Sequence, residues 1–222
     1  MSSTTLGANL EDRMIESRSQ RAKRALDLAV AIPAVALLWP LFIAIAVWVK
    51  LDSRGPVFFL QERAGQFGRL FRIFKFRTMI VDAAANSSLI TIGADRRITR
   101  SGRLLRKYKL DELPQLFNVI RGEMSLVGPR PEVPRYVELY TEDQRRILAL
   151  KPGVTSPASI AFSDESELLA RQEDPENFYR AQLMPAKIRE DLSYAKQATI
   201  FSDCAMVAKT LFRLASDKNE FK

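Results

Sequence analysis

The chain has 222 residues, enough for one medium-sized domain with appendages, and its net charge of +8 makes it clearly basic. Basic proteins favour nucleic acid, an anionic membrane surface or phosphate-rich substrates as partners, and no zinc-finger or glycine-rich motif supports nucleic acid. The single cysteine, Cys204, excludes an internal disulfide and is typical of a reducing compartment. The sequence has no histidine, which excludes Ser-His and Cys-His nucleophile pairs. Any chemistry must therefore use carboxylates and cations, with a hard metal ion as an option.

The N-terminal part combines a polar tail, residues 1–22, with an apolar segment, residues 23–50. Over residues 28–49 no side chain is charged or polar, and as a helix this run is about 33 Å long, enough to cross a bilayer. Pro40, preceded by Trp39, lies near the middle of the run and predicts a kink. Cations flank the run on both sides, and positively charged flanks stay in the cytoplasm. A re-entrant helical hairpin and a spanning helix are therefore equally open, and a buried soluble helix is well below both.

The remaining chain, residues 51–215, predicts an α+β fold that is mainly helical. Alternating side chains on either side of Gly65–Gly68 predict a hairpin, the small β element of the fold. Its second strand carries Lys75, which lies either on a solvated strand edge or faces phosphate or lipid head groups. A helix is predicted over 138–150, and residues 185–215 predict one or two amphipathic helices that pack on the core or lie on the membrane. The apolar line of the last helix consists of Ile200, Cys204, Val207, Leu211 and Leu214.

Two adjacent carboxylates, Asp111 and Glu112, precede a short helix that apolar spacing predicts over 113–120. Pro114 suits its first turn, and the free N–H groups and dipole at a helix start favour negative charge. The nearby cations are Arg103, Arg106, Lys107, Lys109, Arg121 and Arg130. Taken alone, Asp111 is either an N-cap, the commoner role of Asp before a helix, or part of a site for metal-bound phosphates.

Five sequence features together are typical of one family. They are Lys23-Arg24 with Asp27, the proline-broken apolar run, Lys75-Phe76-Arg77-Thr78-Met79, Asp111-Glu112-Leu113-Pro114-Gln115-Leu116-Phe117-Asn118-Val119, and Gly122-Glu123-Met124-Ser125-Leu126-Val127-Gly128-Pro129-Arg130-Pro131. In this order they resemble the bacterial sugar transferases, the monotopic polyprenol-phosphate phosphoglycosyl transferases of the small single-domain type. The similarity covers about residues 20 to 215.

The resemblance implies an enzyme that moves a sugar 1-phosphate from a UDP-sugar to polyprenol (undecaprenyl) phosphate and releases UMP. Such enzymes initiate the synthesis of surface glycans such as exopolysaccharide and lipopolysaccharide. Asp111 matches the nucleophile, which forms a covalent aspartyl-phosphosugar, and Glu112 matches the residue that helps to hold Mg²⁺. The residues that handle phosphate match Lys75, Arg106 and Arg130.

The resemblance also implies how the protein is seated. A helix break at Trp39 and Pro40 makes the membrane helix re-entrant over 23–50, with amphipathic interfacial helices around the site. Residues 51–215 then form a catalytic domain on the cytoplasmic face of the bacterial inner membrane, and residues 216–222 form a C-terminal tail. The expected partners are UDP-sugar, polyprenol phosphate and membrane lipids, not nucleic acid. A homo-oligomer formed through the C-terminal helices is compatible with the pattern.

One segment departs from the family pattern. Many relatives continue Gly-Leu-Ala-Gln where this chain has Ser156-Pro157-Ala158-Ser159. The sequence therefore does not identify the sugar of the donor. The carboxylate pair and the Gly-Pro-Arg-Pro segment do match the family pattern. The alternative from another class is an inactive membrane scaffold of a glycan-assembly complex, and the intact Asp111, Glu112 and Arg130 argue against it.

Overall fold

The computed structural model describes residues 3–81 and 95–216, so that part of the predicted loop before α2 and most of the predicted C-terminal tail lie outside it. The N-terminal half contains α1 (Ser3–Asp52), β1 (Phe58–Ala64), β2 (Leu70–Phe76), α2 (Arg100–Lys107), α3 (Gln115–Arg121) and β3 (Ser125–Val127). The C-terminal half contains α4 (Pro134–Val137), α5 (Glu142–Arg145), β4 (Gly153–Thr155), α6 (Pro157–Ala161), α7 (Glu165–Ala170), α8 (Pro175–Phe178), α9 (Met184–Ala195) and α10 (Ile200–Ser216). The expectation of a mainly helical fold with a small β element is confirmed.

Helix α1 is continuous through Pro33 and Pro40 and contains a segment, Gln20–Asp52, that is long and apolar enough to cross a membrane. Only 17% of its most apolar window is buried, less than is usual for the core helix of a soluble protein. The buried residues recur at helical spacing on one face; they are Asp27, Ala31, Phe42, Ile45 and Val49. The other face exposes large apolar side chains, among them Leu37, Trp39, Val47, Trp48 and Leu51. One stripe of α1 therefore packs on the folded domain along the whole apolar run.

The N-terminal end of this stripe is fixed to the domain by polar side chains. Arg24 donates from Nη2 to the carbonyl oxygen of Ile120 at 2.7 Å, at the C-terminal end of α3, where a cation is favoured. Buried Asp27 accepts from the backbone N–H of Leu126 at 2.9 Å and from the hydroxyl of Ser125 at 3.0 Å. Because Asp27 is buried, these two bonds replace the water that its carboxylate would otherwise bind.

The C-terminal end of α1 is fixed to the same domain. Buried Arg77, directly after β2, donates to the carbonyl oxygens of Val49 at 3.2 Å and Ser53 at 2.6 Å, at the end of the helix, where carbonyl groups need partners. Asp52 accepts from the backbone N–H of Ser101 at 2.9 Å and its hydroxyl at 2.8 Å, at the start of α2. Both ends of the apolar run therefore contact one folded domain.

Strands β1 and β2 form the predicted antiparallel hairpin, with Ala64 opposite Leu70 and Phe59 opposite Lys75. Strands β3 and β4 pair in parallel and place Ser125 opposite Gly153. The apolar face of β2 packs against α1 and α3, so the hairpin, the membrane-type helix and α3 share one core. This core positions the segment between α2 and α3.

Two predicted helices differ from the structure. The helix expected over 138–150 is divided, because Thr141 starts α5 with a capping box in which Gln144 returns a hydrogen bond to it. In α10 the predicted apolar line does not pack on the core as one face, since Cys204 and Leu211 are exposed, and this exposure fits the alternative of a line that faces the membrane. The inward residues are Asp203, Met206, Val207, Thr210 and Arg213. Met206 and Val207 pack on the core, and Asp203, Thr210 and Arg213 add polar contacts on the same face.

Candidate active site

The two carboxylates lie on a 3-10 turn, Leu110–Glu112, between α2 and α3. Lys109 precedes the turn in the left-handed region, with φ of 53°, which reverses the chain at the end of α2. The N-cap of α3 is Pro114, and no side chain in the described part of the chain caps that helix. The N-cap interpretation of Asp111 is therefore wrong, and the side chains of Asp111 and Glu112 are available for other contacts.

Glu112 accepts hydrogen bonds from two cations that reach it from different elements. Lys75 donates from Nζ to Oε1 at 2.7 Å, and Arg130 donates to Oε1 at 2.5 Å and to Oε2 at 3.2 Å. Burial alone would raise the pKa of Glu112, but Arg130 and Lys75 hold that pKa well below its usual value. The structure thus brings together three predicted site residues: Lys75 and Arg130 both bind the ionised carboxylate of Glu112, and Arg130 binds both of its oxygens.

Asp111 is in a different electrostatic state, although it is the next residue. It is 7% exposed, and its Oδ1 has no hydrogen-bond partner among residues 20–81 and 95–213. Burial and then the negative charge of Glu112 raise the pKa of Asp111, while Lys75 and Arg106 lower it. An unpartnered buried carboxylate oxygen is costly, and such groups concentrate at functional sites.

Arg106 reaches the site from α2. Its Nε donates to the hydroxyl oxygen of Thr78 at 2.9 Å, which orients the guanidinium along the hairpin end. Burial lowers the pKa of Arg106, the charge of Asp111 opposes that shift, and both residues line the same cavity. Trp39 and Pro40 lie on the exposed face of α1 and do not line the cavity. The structure therefore gathers the predicted phosphate-binding residues, and the predicted helix break lies outside the site, within a continuous helix.

The carboxylates open into a cavity of about 1690 Å³, large enough for a nucleotide diphosphate sugar. One region of its lining is apolar and comes from α1 and β1; its residues are Val30, Ala34, Leu38, Phe58 and Phe59. The region around Asp111 and Glu112 is cationic; its residues include Arg63, Lys75, Arg103, Arg106, Lys109 and Arg130. The same cavity can therefore accept phosphate groups and an apolar chain.

Sequence reasoning missed the residue that joins α3 to the hairpin. Fully buried Asn118 donates from Nδ2 to the carbonyl oxygen of Arg72 at 2.8 Å and to Glu123 at 2.7 Å, and it accepts from the N–H of Phe74 at 3.0 Å. These bonds fix α3 against the strand that carries Lys75. A polar residue inside an apolar helix pattern was the available signal, because buried amides need partners.

The carboxylates fit a magnesium ion that shares its ligands with a substrate. No group of three or more Asp, Glu, Cys or His side chains in the described ranges could form an all-protein metal site. Mg²⁺, however, is commonly bound by one or two carboxylates together with substrate phosphates and water. Glu112 keeps lone pairs beyond those that Lys75 and Arg130 use, so it can contribute the carboxylate of such a site.

An ionised glutamate between two cations, a free aspartate oxygen and a long apolar helix define a membrane-associated site suited to phosphate-bearing substrates. The family model described as "Bacterial sugar transferase" matches residues 18–217. The chain therefore belongs to the bacterial sugar transferase family, as the motifs indicate.

Curated relatives share the motif-bearing part of the chain. It is 36% identical over 194 residues to an Aeromonas hydrophila protein named UDP-N-acetylgalactosamine-undecaprenyl-phosphate N-acetylgalactosaminephosphotransferase, covering 85% of this chain and 42% of that one. It is 37% identical over 219 residues to the undecaprenyl-phosphate glucose phosphotransferase of Komagataeibacter xylinus, covering 96% and 39%. A UDP-glucose:undecaprenyl-phosphate glucose-1-phosphate transferase of Caulobacter vibrioides is 36% identical over 204 residues, covering 90% and 72%. The chain spans about two fifths of the first two relatives.

Proposed function

We propose that the chain is a phosphoglycosyl transferase that moves a sugar 1-phosphate from a UDP-sugar to polyprenol (undecaprenyl) phosphate. The observation that carries this function is the free carboxylate oxygen of Asp111 beside the ionised group of Lys75, Glu112 and Arg130. The named activities of the relatives support the same substrates. The product would begin the assembly of a surface polysaccharide or another glycoconjugate.

In the first step, Asp111 Oδ1 attacks the phosphorus that carries the sugar. A new O–P bond forms, the P–O bond to UMP breaks, and UMP leaves with the bonding electron pair. Lys75, Arg106 and Arg130 neutralise the charge that spreads over the phosphoryl oxygens, which is the main demand in phosphoryl transfer. UMP leaves as a phosphate anion, so this step needs no proton donor, and a site without histidine is sufficient.

In the second step, an oxygen of polyprenol phosphate attacks the same phosphorus. The Asp–phosphorus bond breaks, its electron pair returns to Asp111, and the sugar is left on polyprenol diphosphate. The acceptor is already an anion, so no general base is needed. The intermediate between the steps is an acyl phosphate, which is reactive enough for this capture, as in other carboxylate nucleophiles.

We assign Glu112 as the protein ligand of Mg²⁺, which leaves Oδ1 of Asp111 free to attack phosphorus. Bound magnesium would supply charge neutralisation to the diphosphate of the donor. Glu112 suits this role because it is held ionised by its two cations and stays charged over the physiological pH range. Lys75 and Arg130 keep its carboxylate oriented towards the cavity.

Contacts at both ends of α1 support a re-entrant seating. Arg24 and Asp27 bind one end of the apolar run to the domain, and Arg77 binds the other end. A helix that crossed the bilayer would place these ends on opposite faces. With cations on both flanks, the domain is assigned to the cytoplasmic face of the bacterial inner membrane. The exposed Phe201 and Phe212 suit α10 to the lipid interface.

Two single-cysteine variants test this membrane topology. In a Cys204→Ser background, single cysteines at Arg21 and at Glu62 are treated with a membrane-impermeant thiol reagent in inverted and in right-side-out vesicles. Both sites should be labelled in inverted vesicles and protected in right-side-out ones. Labelling of the two sites from opposite faces would show that the helix spans the membrane.

UMP release from a panel of UDP-sugars tests the reaction. Wild type and Asp111→Asn are compared in membranes that contain polyprenol phosphate and Mg²⁺, with Asp143→Asn, an exposed aspartate on α5, as the matched control. We expect release by wild type and the control, at least 10³-fold slower release by Asp111→Asn, and a radiolabelled sugar phosphate on the wild-type protein when acceptor is withheld. Unchanged release by Asp111→Asn would remove Asp111 as nucleophile, and no release by wild type from any donor would favour the scaffold.

A further inference from the structure

The cavity has a second polar wall, residues 155–167, that the proposed reaction does not use. It consists of the end of β4, helix α6 and the start of α7, and it includes the segment that departs from the family pattern. Its polar residues facing the cavity are Ser159, Ser163, Asp164, Glu165, Ser166 and Glu167. Hydroxyl and carboxylate groups dominate this wall, whereas cations dominate the region around Asp111.

Helices α9 and α10 hold the wall in place, and residues of both helices also line the cavity. Asp191 on α9 accepts from the backbone N–H of Ala158 at 3.0 Å. Arg213 on α10 donates to the carbonyl oxygen of Ile160 at 2.8 Å and to the hydroxyl of Ser163 at 2.6 Å. The wall therefore presents its side chains on a fixed backbone, which is what discrimination between similar ligands requires.

Glu165 connects this wall to the phosphate region. It pairs with Lys187 at 2.8 Å, and its side chain is 30% exposed, so its carboxylate remains accessible from the cavity. The charge of Glu112 and, more weakly, that of Glu165 raise the pKa of Arg130, which indicates that Glu165 lies within electrostatic reach of Arg130. Arg130 in turn binds Glu112. The wall and the cations that would hold the diphosphate therefore line the same cavity.

We propose that residues 155–167 form the sugar subsite and that Glu165 makes it selective for an uncharged, hydroxyl-rich sugar over a hexuronic acid. This inference rests on the proposed function. A UDP-sugar carries its negative charges on the diphosphate, which the cations bind, and its sugar is attached to the phosphorus that Asp111 attacks. Sugar hydroxyls donate to carboxylate and serine oxygens, whereas a sugar carboxylate beside Glu165 adds like-charge repulsion.

The matched probes are UDP-glucose and UDP-glucuronic acid, which differ only in the hydroxymethyl or carboxylate at C6. The measured quantity is the ratio of kcat/KM for the glucuronic acid donor to that for the glucose donor. Glu165→Gln should raise this ratio about tenfold, because it removes one negative charge and releases Lys187 to attract the carboxylate. Lys187→Met should lower the ratio. Glu138→Gln, an exposed glutamate outside the cavity, should leave it unchanged.

Binding of both donors to Asp111→Asn, with and without Glu165→Gln, is measured in parallel by competition with labelled UDP. This binding measurement tests the selectivity of the sugar subsite even if the protein shows no turnover. Absence of turnover would contradict the proposed reaction, and the donor preference would still be measured. Inhibition by UMP should be the same in all variants, because none of them changes Lys75, Arg106 or Arg130. Three results would overturn the inference. The donor ratio could stay within twofold of wild type in both charge variants, kcat/KM could fall equally for both donors, or the wild type could prefer the glucuronic acid donor.

Discussion

The two polar walls of the cavity are built in different ways. Around Asp111 the wall is charged, and Lys75 and Arg130 each contact Glu112 directly, each from its own recognisable motif. The wall at 155–167 carries hydroxyls and carboxylates, and its backbone is held by helices that follow later in the chain. The difference teaches that the type of reaction is encoded in local motifs, whereas the choice of substrate depends on how the C-terminal helices pack.

The largest effect is expected from breaking the charged wall at Glu112. Glu112→Gln leaves Lys75 and Arg130 without a counter-charge and removes an anionic ligand for Mg²⁺, so UMP release should fall about 10³-fold. Initial rates over a Mg²⁺ titration measure this loss. Glu142→Gln, in the exposed first turn of α5, is the control. Activity within tenfold of wild type would contradict the role given to the ionised group.

A second variant removes a buried charge behind the other wall. Burial raises the pKa of Asp191 to about 6, although the N–H of Ala158 opposes the shift. The native state therefore binds a proton that the unfolded chain releases near pH 3.8, and this stabilisation is complete below pH 3.8 and lost as pH rises through 6. Asp191→Asn should abolish a fall of up to about 3 kcal/mol in the free energy of unfolding between pH 4 and 7.

Denaturant unfolding in detergent micelles, followed at several pH values, measures that difference. The control is Asp143→Asn, because its side chain is 86% exposed and its loss should leave the pH dependence unchanged. Equal slopes for wild type and Asp191→Asn between pH 4 and 6 would show that the carboxylate is not held in the protonated form.

A variant that weakens the packing of the 155–167 wall and leaves the charged wall unchanged should affect donor binding more than the chemical step. Arg213→Met removes the bonds to Ile160 and Ser163, so we expect KM for the donor to rise about tenfold with kcat changed less than threefold. Steady-state kinetics measure both values. Lys209→Met, an exposed cation on the same helix, serves as the control. A fall in kcat at unchanged KM would place the effect in the chemistry instead.

The smallest expected effect concerns the pH at which Asp111 ionises. Because burial and Glu112 raise its pKa, the acid limb of kcat/KM should lie above 3.8. Lys109 lowers the pKa of Asp111, so Lys109→Gln should move this limb to higher pH. Lys196→Gln, at the exposed end of α9, should leave the limb in place. A limb that moves to lower pH in Lys109→Gln would contradict the electrostatic account.

The sequence predicted the parts of the site that depend on short-range patterns. The hairpin, the apolar helix and the carboxylate pair follow from periodicity, turn residues and composition, and the motifs identify Lys75 and Arg130. The sequence could not show that both cations contact Glu112, because their positions are 37 and 18 residues away and only tertiary packing brings them together.

The same reason explains the misassigned parts. The inward face of α10 is set by Asp203, which pairs with Lys23 and accepts from Tyr194 at 2.8 Å, and no local pattern records such partners. Asn118 and Asp191 act through buried hydrogen bonds to distant backbone groups, which composition does not reveal. Long-range polar contacts were thus the information that periodicity lacked.

The polar contacts of α1 with the domain also set an order of events during synthesis. The partners of Arg24 and Asp27 come 95 to 99 residues later in the chain, and the partner of Lys23 comes 180 residues later. At roughly 5–20 residues per second, the apolar helix has left the ribosome for about 5–20 s before Asp27 can be satisfied. We therefore expect Asp27 to remain hydrated at the membrane surface until β3 forms. The helix then packs on its domain in the same folding event that completes the catalytic centre. A helix inserted in the wrong way would therefore also leave the protein inactive.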